Sequence, residues 1–274
     1  MYLAIDIGGT KTLAGLIDKN GEVIETTRFE TPKNYNQFIS DLKKAVDEIT
    51  TNYSKLRGCC IAIPGLIDRE KGLVRALGNL PWKNKPIRSD LQKFINTDNI
   101  LLENDSRLAG LAEANVVRFS YDSILYLTVS TGIGGALIKY GKIVTELQDT
   151  EMGKMPLLYD GKVQSWEEFA SGRWVVAEFD KKASQIDNAG TLKKIGHNIA
   201  YGLGAVCAVL QPQAIIFGGG VGQYADKFSE YISEYLMANL HPVIKHPQAL
   251  LSPSYPDDAV LHGCFLYLQQ NTDD

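Results

Sequence analysis

Along the first thirty residues the apolar positions come in short blocks and alternations, the length of strands rather than helices. Tyr2–Ile7, Thr12–Ile17 and Glu22–Phe29 read as three short strands. The last two are joined through Asn20-Gly21, a dipeptide that favours tight hairpin turns. From Tyr35 to Tyr53 the period lengthens, and Phe38, Ile39, Leu42, Val46 and Ile49 fall on one face of a helix. Gly58–Ile63 is apolar throughout, as a strand covered on both faces would be, and it stops at Pro64-Gly65. Ile100–Leu102 is a further short strand, and Asp105 opens a helix running to about Phe119. The second half is more helical. Trp166–Lys182 and Thr191–Leu210 read as helices, Ala214–Phe217 as a strand entering Gly218-Gly219-Gly220 and a helix to about Asn239, and Ala259–Gln270 as a final helix.

Strands alternating with helices predict an α/β fold with substantial parallel pairing. Residues 3–24 and 125–144 share one plan: strand, Gly/Thr-rich turn, strand, Gly-containing turn, strand. Two unrelated β-meanders would look the same; the alternative is a duplicated fold whose halves each carry a phosphate-facing hairpin. The 274 residues suit one large domain or two modest ones.

The net charge of −4 and the dispersed Lys and Arg residues argue against a nucleic-acid footprint or a membrane patch. No stretch approaches the roughly 20 apolar residues of a membrane helix, and the N-terminus lacks the pattern of a signal peptide. The four cysteines, Cys59, Cys60, Cys207 and Cys264, lie in apolar runs without a C-x-x-C spacing. Reduced, buried thiols and a cytoplasmic location are expected.

The chemistry gathers in four segments. Asp6-Ile7-Gly8-Gly9-Thr10-Lys11 ends a strand in two glycines, a hydroxyl and a cation. Glycines let backbone N–H groups approach phosphate oxygens, and Asp6 could hold Mg²⁺. An ordinary hairpin with a surface Asp and Lys would read alike. Ser130-Thr131-Gly132-Ile133-Gly134-Gly135 offers the same chemistry from the second half. A strand follows it rather than a helix, so it is not the dinucleotide-binding fingerprint. Gly218-Gly219-Gly220 follows a buried strand and leaves room for an adenine or ribose. Finally, Asn104-Asp105 stands where a strand gives way to a helix. Asp105 is either a helix cap or a general base, with Asn104 bonding a neighbouring hydroxyl. Phosphoryl transfer needs positioning and a carboxylate more than covalent help.

Taken in order, D-I-G-G-T-K, I-P-G-L-I-D, E-N-D-S-R-L-A, S-T-G-I-G-G-A-L-I, E-M-G-K-M, W-E-E-F-A-S-G and I-I-F-G-G-G-V resemble the ROK family (repressors, open reading frames, kinases), in its glucokinase, fructokinase and N-acetylhexosamine kinase branch. The resemblance covers nearly the whole chain. It implies the two-lobed actin-like ATPase fold, a duplicated ribonuclease H-like architecture. Its smaller lobe would be 1–105, with helix 259–272 returning to it, and its larger lobe 106–258. It implies an ATP-dependent hexose kinase with Mg²⁺, acting on glucose first, then fructose or an N-acetylhexosamine. Asp105 is the implied base, and Asn104, Glu151, Glu167, Lys154, Gly65 and Asn79 lie on the sugar side. Asp6, Gly8, Gly9, Thr10, Lys11, Thr131, Gly132, Gly134, Gly218, Gly219 and Gly220 lie on the nucleotide side. A homodimer is the expected assembly. The repressors' additional helix-turn-helix is not expected, since the chain enters its first strand at once.

Two departures stand out. Lys154 occupies the place of the family's histidine, and the family's C-x-C-G-x-x-G-C cluster is missing from Tyr159–Trp166. Without those thiolates and that imidazole, no zinc is expected. The departures also open a second reading, a non-catalytic sugar- or nucleotide-sensing protein, and polyphosphate remains a possible donor.

Overall fold

The computed structural model describes residues 1–52 and 55–272, which divide into two compact units, the first drawn from residues up to 112 together with those from 258 onward and the second from 113–257. The first unit opens on β1 (Tyr2–Ile7), β2 (Lys11–Ile17) and β3 (Val23–Glu30), an antiparallel meander. Asp18 organises the turn before β3: its Oδ1 accepts from Asn20 N–H at 2.7 Å and Glu22 N–H at 2.9 Å, and Gly21 takes φ 89°. Helix α1 (Tyr35–Thr50) starts at Asn34, whose side chain accepts from Gln37 N–H. Of the longer helix predicted here, Tyr53 lies outside the described residues. Strand β4 (Gly58–Ile63) pairs parallel with β1. A small antiparallel sheet follows, β5 (Gly65–Asp68), β6 (Leu73–Leu77) and β7 (Lys83–Lys85), which the sequence pattern did not signal. After α2 (Ile87–Leu91), β8 (Ile100–Asn104) joins β4 in parallel and runs into α3 (Asp105–Val116). The helix stops three residues short of Phe119, which is left exposed.

The sheet order is β3-β2-β1-β4-β8. Strand alternation explains why β1 is apolar on both sides. Leu3, Ile5 and Ile7 face a core built with Phe38, Leu42, Val46 and Ile49 of α1. Tyr2 and Ala4 face the other way, with Cys60 and Ala62, onto Leu261, Cys264 and Leu268 of the C-terminal helix Ala259–Asn271.

The second unit repeats the plan: β9 (Ser123–Val129), β10 (Ile133–Lys139) and β11 (Lys142–Ile143) form a meander. Then come the hairpin β12 (Pro156–Tyr159) and β13 (Lys162–Ser165), and helices α4 (Trp166–Ala170), α5 (Gly172–Phe179) and α6 (Ala189–Leu210). Strand β14 (Ala214–Gly218), α7 (Gly219–Gly222), α8 (Ser229–Asn239) and β15 (Ala249–Leu251) complete it. The order β11-β10-β9-β14-β15, with β14 parallel to β9 and to β15, matches the first sheet strand for strand. The internal echo is therefore a duplicated fold. This is the actin-like, ribonuclease H-like architecture.

One predicted helix is two. Trp166–Lys182 breaks at Ser171, which is extended (φ −80°, ψ 169°) and accepts from Trp174 N–H to start α5. The break lets Gly172 N–H reach Ser130 O at 2.6 Å, a contact that helical periodicity does not encode. The segment then ends at Phe179, with Asp180 left-handed at φ 52°. All four cysteines are buried and unpaired by disulfides. Among the described residues, no helix is long and apolar enough to cross a membrane.

Candidate functional site

In the first unit the candidate residues collect at one edge of the sheet, because β1, β4 and β8 are parallel and end together. The turn after β1 is tight: Gly8 N–H donates to Lys11 O at 2.9 Å, and a Cβ on Gly8 would lie 2.6 Å from that oxygen. Thr31 holds the turn from β3's end. Its hydroxyl donates to Gly8 O at 2.8 Å and its N–H to Thr10 O at 2.9 Å. Asn79 packs against Gly9, 2.9 Å from where a Cβ would be. Thr10 and Lys11 are exposed at the tip. After β4, Gly65 adopts φ 151°, which places it 2.5 Å (Cβ position) from Ala76 O, so a side chain is excluded on both counts.

At the end of β8 the division of labour differs from a simple cap. Asn104, buried, accepts from both the N–H and the hydroxyl of Ser106 (3.0 and 2.6 Å), while its amide donates to Ile63 O at 3.3 Å. Capping of α3 thus falls largely to Asn104, and Asp105 adds one bond, from Ser106 N–H at 2.8 Å. Beneath them lies Glu103, 1% exposed, which takes two N–H bonds from Arg69 (2.5 and 2.8 Å) and one from Asn104 N–H (2.7 Å). Arg88 in turn holds Arg69 O at 2.5 Å. Asp6 is half-buried. Burial first, and then the charge of Asp105, push its carboxyl up to about 7, against the opposing pull of Arg28.

In the second unit the matching edge is the turn Ser130-Thr131-Gly132 between β9 and β10, with the β14–α7 junction beside it. Ser130 N–H donates to Gly132 O at 2.8 Å. Gly132 is required by its neighbour, since a Cβ there would sit 2.7 Å from Glu167 Oε2. The same oxygen accepts from Ile133 N–H at 3.4 Å, and Oε1 is ion-paired to Lys154. Gly153 lies flush on β10, with a Cβ position 2.1 Å from Ile133 O. Gly134 is within β10, opposite Thr128. Glu151 is exposed and contributes its backbone oxygen to Lys154 N–H at 2.9 Å. Gly218 and Gly219 are packing glycines: a Cβ on Gly218 would lie 2.1 Å from the Tyr126 hydroxyl, and one on Gly219, at φ 77°, would lie 2.6 Å from Thr128 Oγ1. Gly220 faces open space.

Gly220 lines a cavity of about 730 Å³ that Ser130, Thr131, Gly172, Arg173 and Tyr224 also wall, with Lys182 at its rim. Its volume is that of a small-molecule site, and Arg173 and Lys182 supply cations for an anionic ligand. Sequence reasoning missed these two cations, and also Thr31, Arg69 and Glu103. Of the five, only Glu103 left a signal: a carboxylate closing the apolar run I-L-L. Among the described residues, no group of three or more His, Cys, Asp and Glu side chains is arranged to hold a metal ion.

The ROK family model matches residues 2–271. The N-acetyl-D-glucosamine kinase of Salmonella newport (strain SL254) is 26% identical over 283 aligned positions, covering 90% of this chain and 93% of the relative. In fold, the chain is similar to a ROK family glucokinase from Streptomyces griseus solved with glucose and AMPPNP: TM-score 0.81, 21% identity, 98% of this chain and 99% of that one. It is similar too to a ROK family transcriptional regulator, a homologue of E. coli MLC: TM-score 0.83, 18% identity, 98% of this chain and 77% of that one. With the duplicated sheet and both glycine turns in place, and a match running almost from end to end, the chain belongs to the ROK family.

Proposed function

We propose that this chain is an ATP-dependent sugar kinase, moving the γ-phosphoryl group of the donor to a hexose hydroxyl. The observation that carries the reading is the pair of carboxylates at one sheet edge, Asp6 closing β1 and Asp105 following β8, with burial first and the charge of Asp105 second raising the pKa of the Asp6 carboxyl. Ligands of α/β sheets gather at the carboxyl ends of parallel strands, and a positioned carboxylate is the one group that phosphoryl transfer asks of the protein for proton removal.

In this reading Asp105 accepts the proton of the attacking hydroxyl. Asn104 orients the junction that carries it, and Glu151 and Glu167 take other hydroxyls. Gly65 and Asn79 shape the sugar side of the first unit. Gly8, Gly9, Thr10 and Lys11 offer a turn to donor phosphates, as do Thr131 and Gly132, with Gly134 on the strand that follows. Gly220 lines the nucleoside cavity, and Gly218 and Gly219 set the close-packed strand-to-helix junction that leads to it. The residues suit a hard cation. Asp6 is half-buried beside another acid, and no protein-only cage surrounds it among the described residues, which matches the preference of Mg²⁺ for few carboxylates plus phosphates. Asp6 would hold that ion, which when bound neutralises charge on the phosphate oxygens.

Glucose is the first hexose to test. The relative named for N-acetyl-D-glucosamine adds N-acetylhexosamines beside it, with fructose after them. A panel of these sugars with ATP, and with polyphosphate as the alternative donor, read by ADP or product release, tests the proposal. Turnover on no sugar with either donor sinks it. The competing reading, a sugar or nucleotide sensor, draws on the Lys154–Glu167 ion pair, which occupies a proposed sugar ligand. Tight hexose binding with no turnover would favour it.

A further inference from the structure

We propose that Lys154 is a positioning residue for the phosphate donor, acting by neutralising a carboxylate set inside the Ser130–Ile133 turn. The inference rests on the kinase reading for the identity of the donor, but its geometry lies wholly within the second unit. Glu167 is the acid in question. Only 17% of its side chain is exposed, and Oε2 faces the backbone of the turn, 3.4 Å from Ile133 N–H and against the bare Cα of Gly132. That turn walls the 730 Å³ cavity through Ser130 and Thr131. A nucleoside held there delivers its phosphates toward a turn in which a negative charge already competes for the N–H groups. Like charges a few ångströms apart repel strongly where water is partly excluded.

Lys154 answers this. Its ammonium pairs with Glu167 Oε1 from an otherwise exposed side chain. It also serves the next residue: Glu168 is held below the usual carboxylate range first by the Ser165 hydroxyl and N–H, and further by the Lys154 charge. Gly153, flush on Ile133 O, fixes the backbone from which the lysine reaches. Removing the ammonium leaves the Glu167 carboxylate unbalanced against the turn. The sugar-facing role expected for Lys154 differs in what it predicts, because a hydroxyl contact leaves phosphate affinity alone.

The test measures direct binding without turnover. Kd values for Mg·ATP and for inorganic tripolyphosphate, taken by calorimetry at low and high salt, are compared for wild type, Lys154→Met, Lys154→Arg and Lys154→Met/Glu167→Gln. Lys154 is exposed, so its variants should fold, and melting temperatures check this. Lys154→Met should weaken both phosphate ligands roughly tenfold at low salt and less at high salt, where exposed charges are screened. Lys154→Arg should bind like wild type, and the double variant should recover most of the loss, since it restores neutrality without the lysine. Wild-type phosphate affinity in Lys154→Met overturns the proposal, as does a loss that Glu167→Gln fails to recover. A protein that turns over no hexose yet shows this pattern would lose the kinase reading and keep the inference; a hexose kinase without the pattern would do the reverse.

Discussion

Asn104 and Asp105 are neighbours with different tasks. The side-chain oxygen of Asn104 takes two bonds from Ser106 and its amide spans to β4, so the helix start is already secured when Asp105 accepts from Ser106 N–H. Asp105→Asn keeps that bond and the shape but cannot accept a proton. It should lower kcat by roughly 10²–10⁴ with hexose affinity retained, measured by ADP release and calorimetry. Full turnover would reduce Asp105 to a cap. Asp6 has a separate signature in stability. Its carboxyl titrates near 7 in the folded chain against about 4 in an unfolded one. Folding therefore favours the protonated form: the contribution is complete below about pH 4 and is lost as pH rises through about 7. Urea midpoints, taken without nucleotide or divalent ions, should fall over that window in wild type more than in Asp6→Asn. The identity of these residues was legible in the sequence, as polar letters closing apolar strands. Their division of labour was not, because it depends on which carbonyls and hydroxyls of other strands come within reach.

Among the elements, what the sequence disclosed was whatever repeats locally. The meanders β1–β3 and β9–β11 carry period-2 runs and turn glycines, and α1 and α6 carry one apolar face each. Strand β15 has three residues and no alternation to detect, and the break between α4 and α5 falls in a run that reads as one helix. That break is fixed from outside, by Gly172 seated on Ser130 O with 2.7 Å between oxygen and would-be Cβ and 3.0 Å to Val221 Cγ2. Gly172→Ala must displace the turn or the helix. We expect a loss of about 1–3 kcal/mol in stability, and a rise in KM for ATP well beyond that for sugar. Thermal melts and the two KM values check it, and equal rises in both would detach the turn from donor binding.

For the molecule as a whole, the first unit is discontinuous in sequence. Leu261, Cys264 and Leu268 of the C-terminal helix are fully buried or nearly so against β1, β4 and Leu108. At about 1.5–3 kcal/mol for each large side chain, their loss rivals the 5–15 kcal/mol that typically holds a domain together. A chain ending at residue 257 should therefore leave the first unit unfolded while the second retains protected amides, which hydrogen exchange would resolve. No zinc is expected to contribute to this balance: elemental analysis of pure protein should find no stoichiometric zinc, and strong chelators should leave the melting temperature unmoved. Stoichiometric zinc, or a chelator-sensitive melt, would contradict that expectation.

The same return of the last helix sets an order of events during synthesis. The second unit, 113–257, is one uninterrupted stretch and can close its sheet as soon as it emerges. The sheet of the first unit, though translated earlier, waits with Tyr2, Ala4, Cys60 and Ala62 uncovered until residues 258–274 arrive. At about 5–20 residues per second, translating from residue 113 through the last helix takes roughly 8–32 seconds, during which an apolar sheet face is open to other nascent chains. Synonymous codons that slow translation near residue 258 should then lower soluble yield without changing a single amino acid, and co-expressed chaperones should restore it.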